Sequence, residues 1–208
     1  SAQILFHHKK ELVEIPHLTP EDYQLSFEIF ALKNDISWNF SEPFASFATI
    51  LHGEHFRVTL IHFSTSANRK SKIFLRSQEK AEPTLHLFNK DESISQLLNK
   101  MMNEKKNILI SGSTGSGKTT FVRALLSMVP KDEHVVILED THEILTYSPN
   151  QTSLLSQNEL SKKTLKDYCA YALRMSPERM IIGEMRSTEV VPFMLAMNTG
   201  HKGLMSTI

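Results

Sequence analysis

The rhythm of hydrophobic positions changes near residue 107. Beyond it, short apolar runs alternate with stretches of helical spacing. Asn107-Ile-Leu-Ile-Ser111, His134-Val-Val-Ile-Leu138, Met180-Ile-Ile-Gly183 and Leu204-Met-Ser-Thr-Ile208 read as buried strands. Phe121, Val122, Leu125, Leu126 and Val129 fall on one face of a helix, which Pro130 stops. Leu165, Cys169, Ala172 and Leu173 predict a further helix ending before Pro177, and Ser187 is expected to cap another through Met197, with Pro192 near its first turn. Repeated strand–helix units predict a mainly parallel sheet, with sites at the strands' carboxyl ends.

Residues 1–76 show a different pattern. From Tyr23 to Leu32, Leu25, Phe27, Ile29 and Ala31 alternate with polar residues until Phe30 interrupts; this suits a strand, with a short helix as the alternative. Phe44–Leu51 reads as a strand or short helix, and Phe56–Phe63 as a strand. Ser64–Ser71 is polar, a turn, and Lys72–Arg76 closes a hairpin with the preceding strand. The expectation is a small α+β N-terminal domain over 1–76, with an antiparallel sheet. Residues 77–90 are polar around Pro83 and read as a linker. The α/β domain follows over 91–208, opening on a helix with Ile94, Leu97, Leu98 and Met101 on one face and Asp91 as N-cap.

Composition narrows this picture only a little. Lys+Arg and Asp+Glu are 23 each, so no overall field points to nucleic acid, and no direct nucleic-acid contact is expected. Cys169 is alone, which excludes an intrachain disulfide and suits a reducing compartment. No apolar run approaches the ~20 residues of a membrane-spanning helix, and no secretory signal is visible, so the expected location is the cytoplasm. His7-His8 is the closest approach to metal-ligand spacing among the other histidines and reads as surface.

The most informative stretch is Gly112-Ser113-Thr114-Gly115-Ser116-Gly117-Lys118-Thr119, which fits G-x-x-x-x-G-K-[ST] between a predicted strand and a predicted helix. Its glycines let the backbone turn its N–H groups onto phosphate oxygens, and the helix start adds unpaired donors and positive dipole. Lys118 is expected to reach the β- and γ-phosphates, and Thr119 to ligate Mg²⁺ through its hydroxyl. Thr120 continues the binding segment.

Triphosphate hydrolysis also needs carboxylates near the metal and an oriented water. Two predicted strands end in acids: Leu138-Glu139-Asp140-Thr-His-Glu143 and Gly183-Glu184-Met-Arg186. Glu184 is assigned to the Mg²⁺ shell or the attacking water and Glu139 to the general base, and the two roles are interchangeable. Asp140 and Glu143 could serve the chemistry or cap the next segment. Arg174 and Arg186 flank the third strand and could neutralise phosphate or pair with an acid. By themselves Arg57 and Arg76 read as solvated strand residues, and His201, between two glycines, as structural.

In this order, the phosphate loop, the acidic box at 138–143, Ile181-Ile-Gly-Glu-Met-Arg186 and Thr199-Gly-His-Lys-Gly203 resemble the secretion traffic ATPases of type II and type IV secretion and type IV pilus machines. Leu173-Arg-Met-Ser-Pro-Glu-Arg-Met180 also resembles that family's approach to its second acidic motif. The compact first unit and the absence of a cysteine-rich insert look most like the type IV secretion branch. The resemblance implies a RecA-like phosphate-loop domain, ATP and Mg²⁺ as cofactors, and a hexameric homo-oligomeric ring. The ring is expected at the inner face of the bacterial inner membrane, touching the membrane peripherally and working on inner-membrane components of a secretion or pilus machine.

It also implies roles for Lys118, Thr119, Glu139 and Glu184 as above, for His201 as the histidine-box imidazole, and for Arg57 and Arg76 as phosphate-clamping arginines. Bound triphosphate would clamp the two domains, and loss of its γ-phosphate would release one through the linker. Ser176 stands where many relatives have a second arginine. The family continues past the histidine box, so the resemblance implies that a C-terminal part is missing after Ile208. A regulatory scaffold that binds nucleotide with little hydrolysis, or a small-molecule phosphate-loop kinase, are the competing readings.

Overall fold

The computed structural model describes residues 2–6, 11–15, 18–78, 82–156 and 163–208, the first two stretches through their backbone alone. His7-His8 and residues 79–81 of the expected linker lie outside the described residues. The chain divides into two compact units, Ser1–Gln78 and Glu79–Ile208.

In the first unit, β1 (Ala2–Phe6) and β2 (Glu11–Ile15) form an antiparallel pair. Helix α1 spans Pro20–Lys33, where the alternation favoured a strand. Its start explains the outcome. Thr19 accepts a hydrogen bond from the Asp22 N–H while Asp22 accepts one from the Thr19 N–H, and Pro20 sits where no donor is needed. Phe27, Phe30 and Ala31, at helical spacing, then pack on Trp38, Phe47, Val58 and Leu60. Strands β3 (Phe44–Leu51), β4 (Glu54–Ile61) and β5 (Lys72–Gln78) form an antiparallel sheet in that order. The β3–β4 turn is His52-Gly53, with φ of 50° and 79°, the paired positive values of a tight hairpin turn.

The second unit has a 3-10 turn at Leu85–Leu87, inside the expected linker, and then α2 (Glu92–Asn103), where Asp91 accepts from the Ser93 N–H as the expected cap. The remaining elements are β6 (Ile108–Ile110), α3 (Lys118–Leu126), β7 (Val135–Glu139), β8 (Gln151–Leu155), α4 (Leu165–Ala172), β9 (Arg179–Ile182), α5 (Val190–Asn198) and β10 (Leu204–Thr207). The strands are all parallel, in the order β6-β10-β9-β7-β8. Helices cover both faces, so alternate residues of the central strands enter different cores. Ile137, Ile181 and Met205 pack with Val122, Leu125 and Leu126 of α3, whereas Val136, Leu138, Met180 and Leu204 pack with Cys169, Ala172 and Phe193 of α4 and α5. Burial holds the Cys169 thiol up at about 12.

In the second unit, β8 and α5 depart from the sequence reading. β8, Gln151-Thr-Ser-Leu-Leu155, has no apolar run to announce it and forms by hydrogen bonding along the edge of β7. Helix α5 starts after Glu189 rather than after Ser187; the Glu189 carboxylate accepts from the Arg186 N–H, so the chain turns two residues later. Among the described residues no helix is long and apolar enough to cross a membrane.

The amino ends of the strands are tied by an ion network around one buried arginine. The Arg179 guanidinium, 2 % exposed, donates to both Glu133 carboxylate oxygens at 2.6 and 3.3 Å and to the Met102 carbonyl at 2.9 Å. Lys105 lies 3.5 Å from Glu133 and 3.0 Å from Glu178, whose other oxygen accepts from the His134 N–H. Lys105 holds the Glu178 carboxyl below its usual range, with help from that N–H. The network joins the end of α2 to the starts of β7 and β9. Arg179→Ala leaves Glu133 with Lys105 alone and takes a buried donor from the Met102 carbonyl, so it should lower unfolding stability by about 2–3 kcal/mol. A urea midpoint unchanged from wild type would show that the network carries no stability.

Candidate active site

The phosphate-loop sequence forms the turn it predicts. β6 ends at Ile110, the chain crosses residues 111–117, and α3 begins at Lys118. Gly115 and Gly117 have φ of 79° and 91°, the left-handed region where a side chain strains the backbone. The Ser116 N–H donates to the Ser113 carbonyl at 3.1 Å and the Phe121 N–H to Gly117 at 2.8 Å, closing the turn onto the helix. Residues 111–116 are exposed and Lys118 is half-buried, its ammonium donating to the Gly112 carbonyl. The result is a concave backbone at a helix N-terminus with a cation at its rim, a site built for an anion.

Because the strands are parallel, β7 and β9 end on the same sheet edge as this loop. Glu139 and Glu184 therefore lie on the edge that carries Lys118, but in unlike surroundings. Glu139 is 3 % exposed. Its Oε1 accepts from the N–H groups of Glu143 and Ile144 at 3.0 and 2.9 Å, and its Oε2 is buried without a hydrogen-bond partner. A Cβ on Gly183 would meet the Glu139 Cγ at 3.0 Å, so the bare backbone after β9 makes room for this side chain. Burial raises the Glu139 carboxyl to about 8, against the lowering effect of the two N–H bonds.

Glu184 is exposed and pairs with Arg186 at 3.2 Å. Arg186 also lies 3.9 Å from Asp140, which accepts from Ser156. These contacts connect the turns that follow β7, β8 and β9.

The acid that meets the phosphate loop is Glu143. Its Oε2 lies 3.5 Å from the Thr119 hydroxyl. The sequence left Glu143 open between chemistry and capping, and only its place four residues beyond Glu139 hinted at a return of the chain. Hydroxyl and carboxylate together are the oxygen donors a magnesium ion takes alongside phosphate. Among the described residues, no group of three or more His, Cys, Asp or Glu gathers as a self-sufficient metal site would require.

His201 does not join this group. It lies three residues before β10, and the register Met205↔Ile108 sets its loop beside Lys105 and Asn107, at the amino ends of the strands. There Gly203 N–H donates to the Lys105 carbonyl at 2.7 Å, and the His201 Nδ1 lies 3.0 Å from the Thr199 hydroxyl. A parallel sheet puts the start of one strand and the end of its neighbour at opposite edges, and that separates His201 from Lys118. Exposed Arg174 precedes β9 and falls on the same far edge. Arg57 and Arg76 belong to the first unit, opposite each other on β4 and β5.

The sequence model of the family described as Type II/IV secretion system protein matches residues 46–208. The chain is similar to the type IV secretion system protein VirB11 of Bartonella henselae, 37 % identical over 114 residues that cover 53 % of this chain and 32 % of that protein. It is similar to the type IV secretion system protein PtlH of Bordetella pertussis, 36 % identical over 107 residues that cover 49 % and 32 %. The matched stretch thus spans about a third of the length of these relatives.

Among solved structures, the pilus retraction motor PilT with bound ADP aligns with a TM-score of 0.73 at 19 % identity, over 99 % of this chain and 59 % of that one. The VirB11 ATPase of the Brucella suis type IV secretion system, in complex with sulphate, aligns with a TM-score of 0.51 at 23 % identity, over 95 % and 65 %. These likenesses bear out the fold class, a RecA-like parallel sheet preceded by a small antiparallel one.

The raised Glu139 carboxyl has a consequence for stability. The native state keeps a proton that the unfolded chain loses near its ordinary value of 4.5, so this group makes stability fall as pH rises from there to about 8. Glu139→Gln removes the titration. Its stability relative to wild type should rise across that window, by on the order of 1 kcal/mol per pH unit, and level off above it. Parallel stability–pH curves from urea titrations of the two proteins would mean that the carboxyl is ionised in the fold.

Proposed function

The chain belongs to the Type II/IV secretion system protein family, and we propose that it binds ATP with Mg²⁺ at the phosphate loop and hydrolyses it. The observation that carries this reading is the meeting of Thr119 with Glu143 beside the loop, on the sheet edge that also holds Glu184 and Arg186. A loop of this geometry alone suits any phosphate. The hydroxyl–carboxylate pair supplies oxygen donors for the cation of a nucleoside triphosphate.

In this proposal the N–H groups of residues 113–119 cradle the phosphates, and Lys118 exchanges the Gly112 carbonyl for a phosphate oxygen. Thr120, in the first turn of α3, extends the binding segment. Thr119 and Glu143 hold Mg²⁺, which supplies charge neutralisation at the phosphates. Glu184 is exposed and so able to take the proton of an attacking water. The general-base role read for Glu139 passes to it, because a carboxyl raised to about 8 keeps its proton at neutral pH and Oε1 is occupied by two N–H groups. Glu139 acts instead by positioning Glu143. Arg186, 3.2 Å from Glu184, restrains that carboxylate.

The wider reading is a motor in a homo-oligomeric ring, hexameric in the family resemblance, at the cytoplasmic face of the inner membrane. It would pass the work of hydrolysis to components of a secretion or pilus machine. This part rests on family membership.

Three substitutions separate the steps. Lys118→Ala should abolish ATP binding measured by calorimetry. Glu184→Gln should keep ATP affinity within a few-fold of wild type and lower phosphate release at least about 100-fold, the scale of a lost general base. Glu143→Gln should weaken Mg²⁺-dependent binding while leaving Mg²⁺-free binding unchanged. Wild-type ATP affinity in Lys118→Ala would remove the site. Binding without phosphate release in wild type would favour a regulatory scaffold, and transfer to an added acceptor in place of release to water would favour a kinase.

A further inference from the structure

The phosphate loop and its acids account for the triphosphate of a nucleotide and leave its base without a partner. Beside the start of α3 lies an aromatic side chain with no assigned work. Phe88 follows the 3-10 turn Leu85–Leu87. Its ring meets Phe121 edge-on, with centroids 5.0 Å apart and planes at 75°. The same ring is what a Cβ on Gly117 would touch, with Phe88 Cε1 at 3.5 Å. Phe88 therefore stands directly against the residue from which the phosphate-binding helix begins.

The segment that carries this ring is held on both sides. Leu85 packs against the core beneath α3, and the N–H groups of Phe88 and Asn89 both donate to the Leu85 carbonyl. Asn89 is bound in turn to Asp91, its Nδ2 donating to the Asp91 carbonyl at 3.0 Å and its Oδ1 accepting from the Asp91 N–H at 3.1 Å. Even so, Phe88 is 40 % exposed and its neighbour Leu87 is 70 % exposed. A ring held against Phe121 and Gly117, still 40 % exposed and one van der Waals contact from a phosphate loop, is an apolar surface already in place when a ligand arrives.

We propose that Phe88 stacks on the base of the nucleotide held by the phosphate loop, and that this platform discriminates little between adenine and guanine. The inference rests on the nucleotide reading above. Stacking uses the π-face that every base has, so it gives affinity without reading hydrogen-bonding edges. The nearest polar side chain in sequence that could read an edge is Asn89, and its amide is already committed at both ends to Asp91.

The test compares ATP, GTP and inorganic tripolyphosphate, each with Mg²⁺, binding to the chain by calorimetry. Wild type should bind ATP and GTP with affinities within a few-fold of each other. Phe88→Leu keeps an apolar side chain against Phe121 but has no π-face. It should weaken ATP and GTP by roughly tenfold each and leave tripolyphosphate unchanged. Phe88→Trp should bind both nucleotides at least as tightly as wild type.

Equal weakening of tripolyphosphate in Phe88→Leu would overturn the proposal, because the ring would then only shape the loop. Unchanged ATP affinity in that variant would also overturn it. A wild-type chain that binds tripolyphosphate but discriminates strongly between ATP and GTP would sink the lack of base selectivity alone. A wild-type chain that binds neither nucleotide nor tripolyphosphate would instead remove the phosphate-loop reading itself.

Discussion

Strand order is the constraint that shapes this site. β10 and β9 lie between β6, which feeds the phosphate loop, and β7, which carries the acidic box. Three inter-strand steps of about 4.8 Å put the ends of β6 and β7 roughly 14 Å apart. The chain spans the gap by folding residues 140–144 back over the sheet edge. The Glu139 carboxyl, accepting from the N–H groups of Glu143 and Ile144, holds that return in place. Ile144, fully buried, anchors its far end in the core. The buried acid thus fixes the position of Glu143, and its raised affinity for a proton comes from its enclosure under Gly183.

The two edges of the sheet have opposite designs. At the carboxyl ends Glu139 is sealed in, while Glu184 and Arg186 are exposed and are linked to Asp140 by a few contacts. At the amino ends, Arg179 is buried, with its Nε and Nη2 donating to Glu133 and the Met102 carbonyl. A Cβ on Gly203 would meet the Arg179 Cγ at 2.9 Å, so the backbone before β10 is pressed onto this network. Charges buried and paired in this way favour one arrangement of the strand starts, because any other leaves a charge unpaired. His201 sits on this fixed edge, which makes its loop part of the frame of the domain.

Legibility in the sequence followed the range of the interactions involved. The Asp91 cap and the hairpin from β4 to β5 were readable because each depends on residues close together in the chain. The central strands were readable because burial on both faces demands an unbroken apolar run. Helix α1 was misread because Leu25, Ile29 and Leu32 stay exposed, so its apolar residues do not mark one face, and the capping box at Thr19 was the better signal. β8 was invisible, since an edge strand can take most of its stability from backbone hydrogen bonds to its neighbour.

The amino-acid order by itself determined the phosphate loop, its lysine and threonine, and the presence of acids after two strands, because a turn and the residues flanking it are contiguous. Which acid faces Thr119, which is sealed beneath the return of the chain, and which edge His201 occupies were decided only in three dimensions. Those outcomes depend on the order in which distant strands pair. Pairing satisfies backbone hydrogen bonds and buries side chains across stretches far apart in the chain, and no local pattern of residues records it.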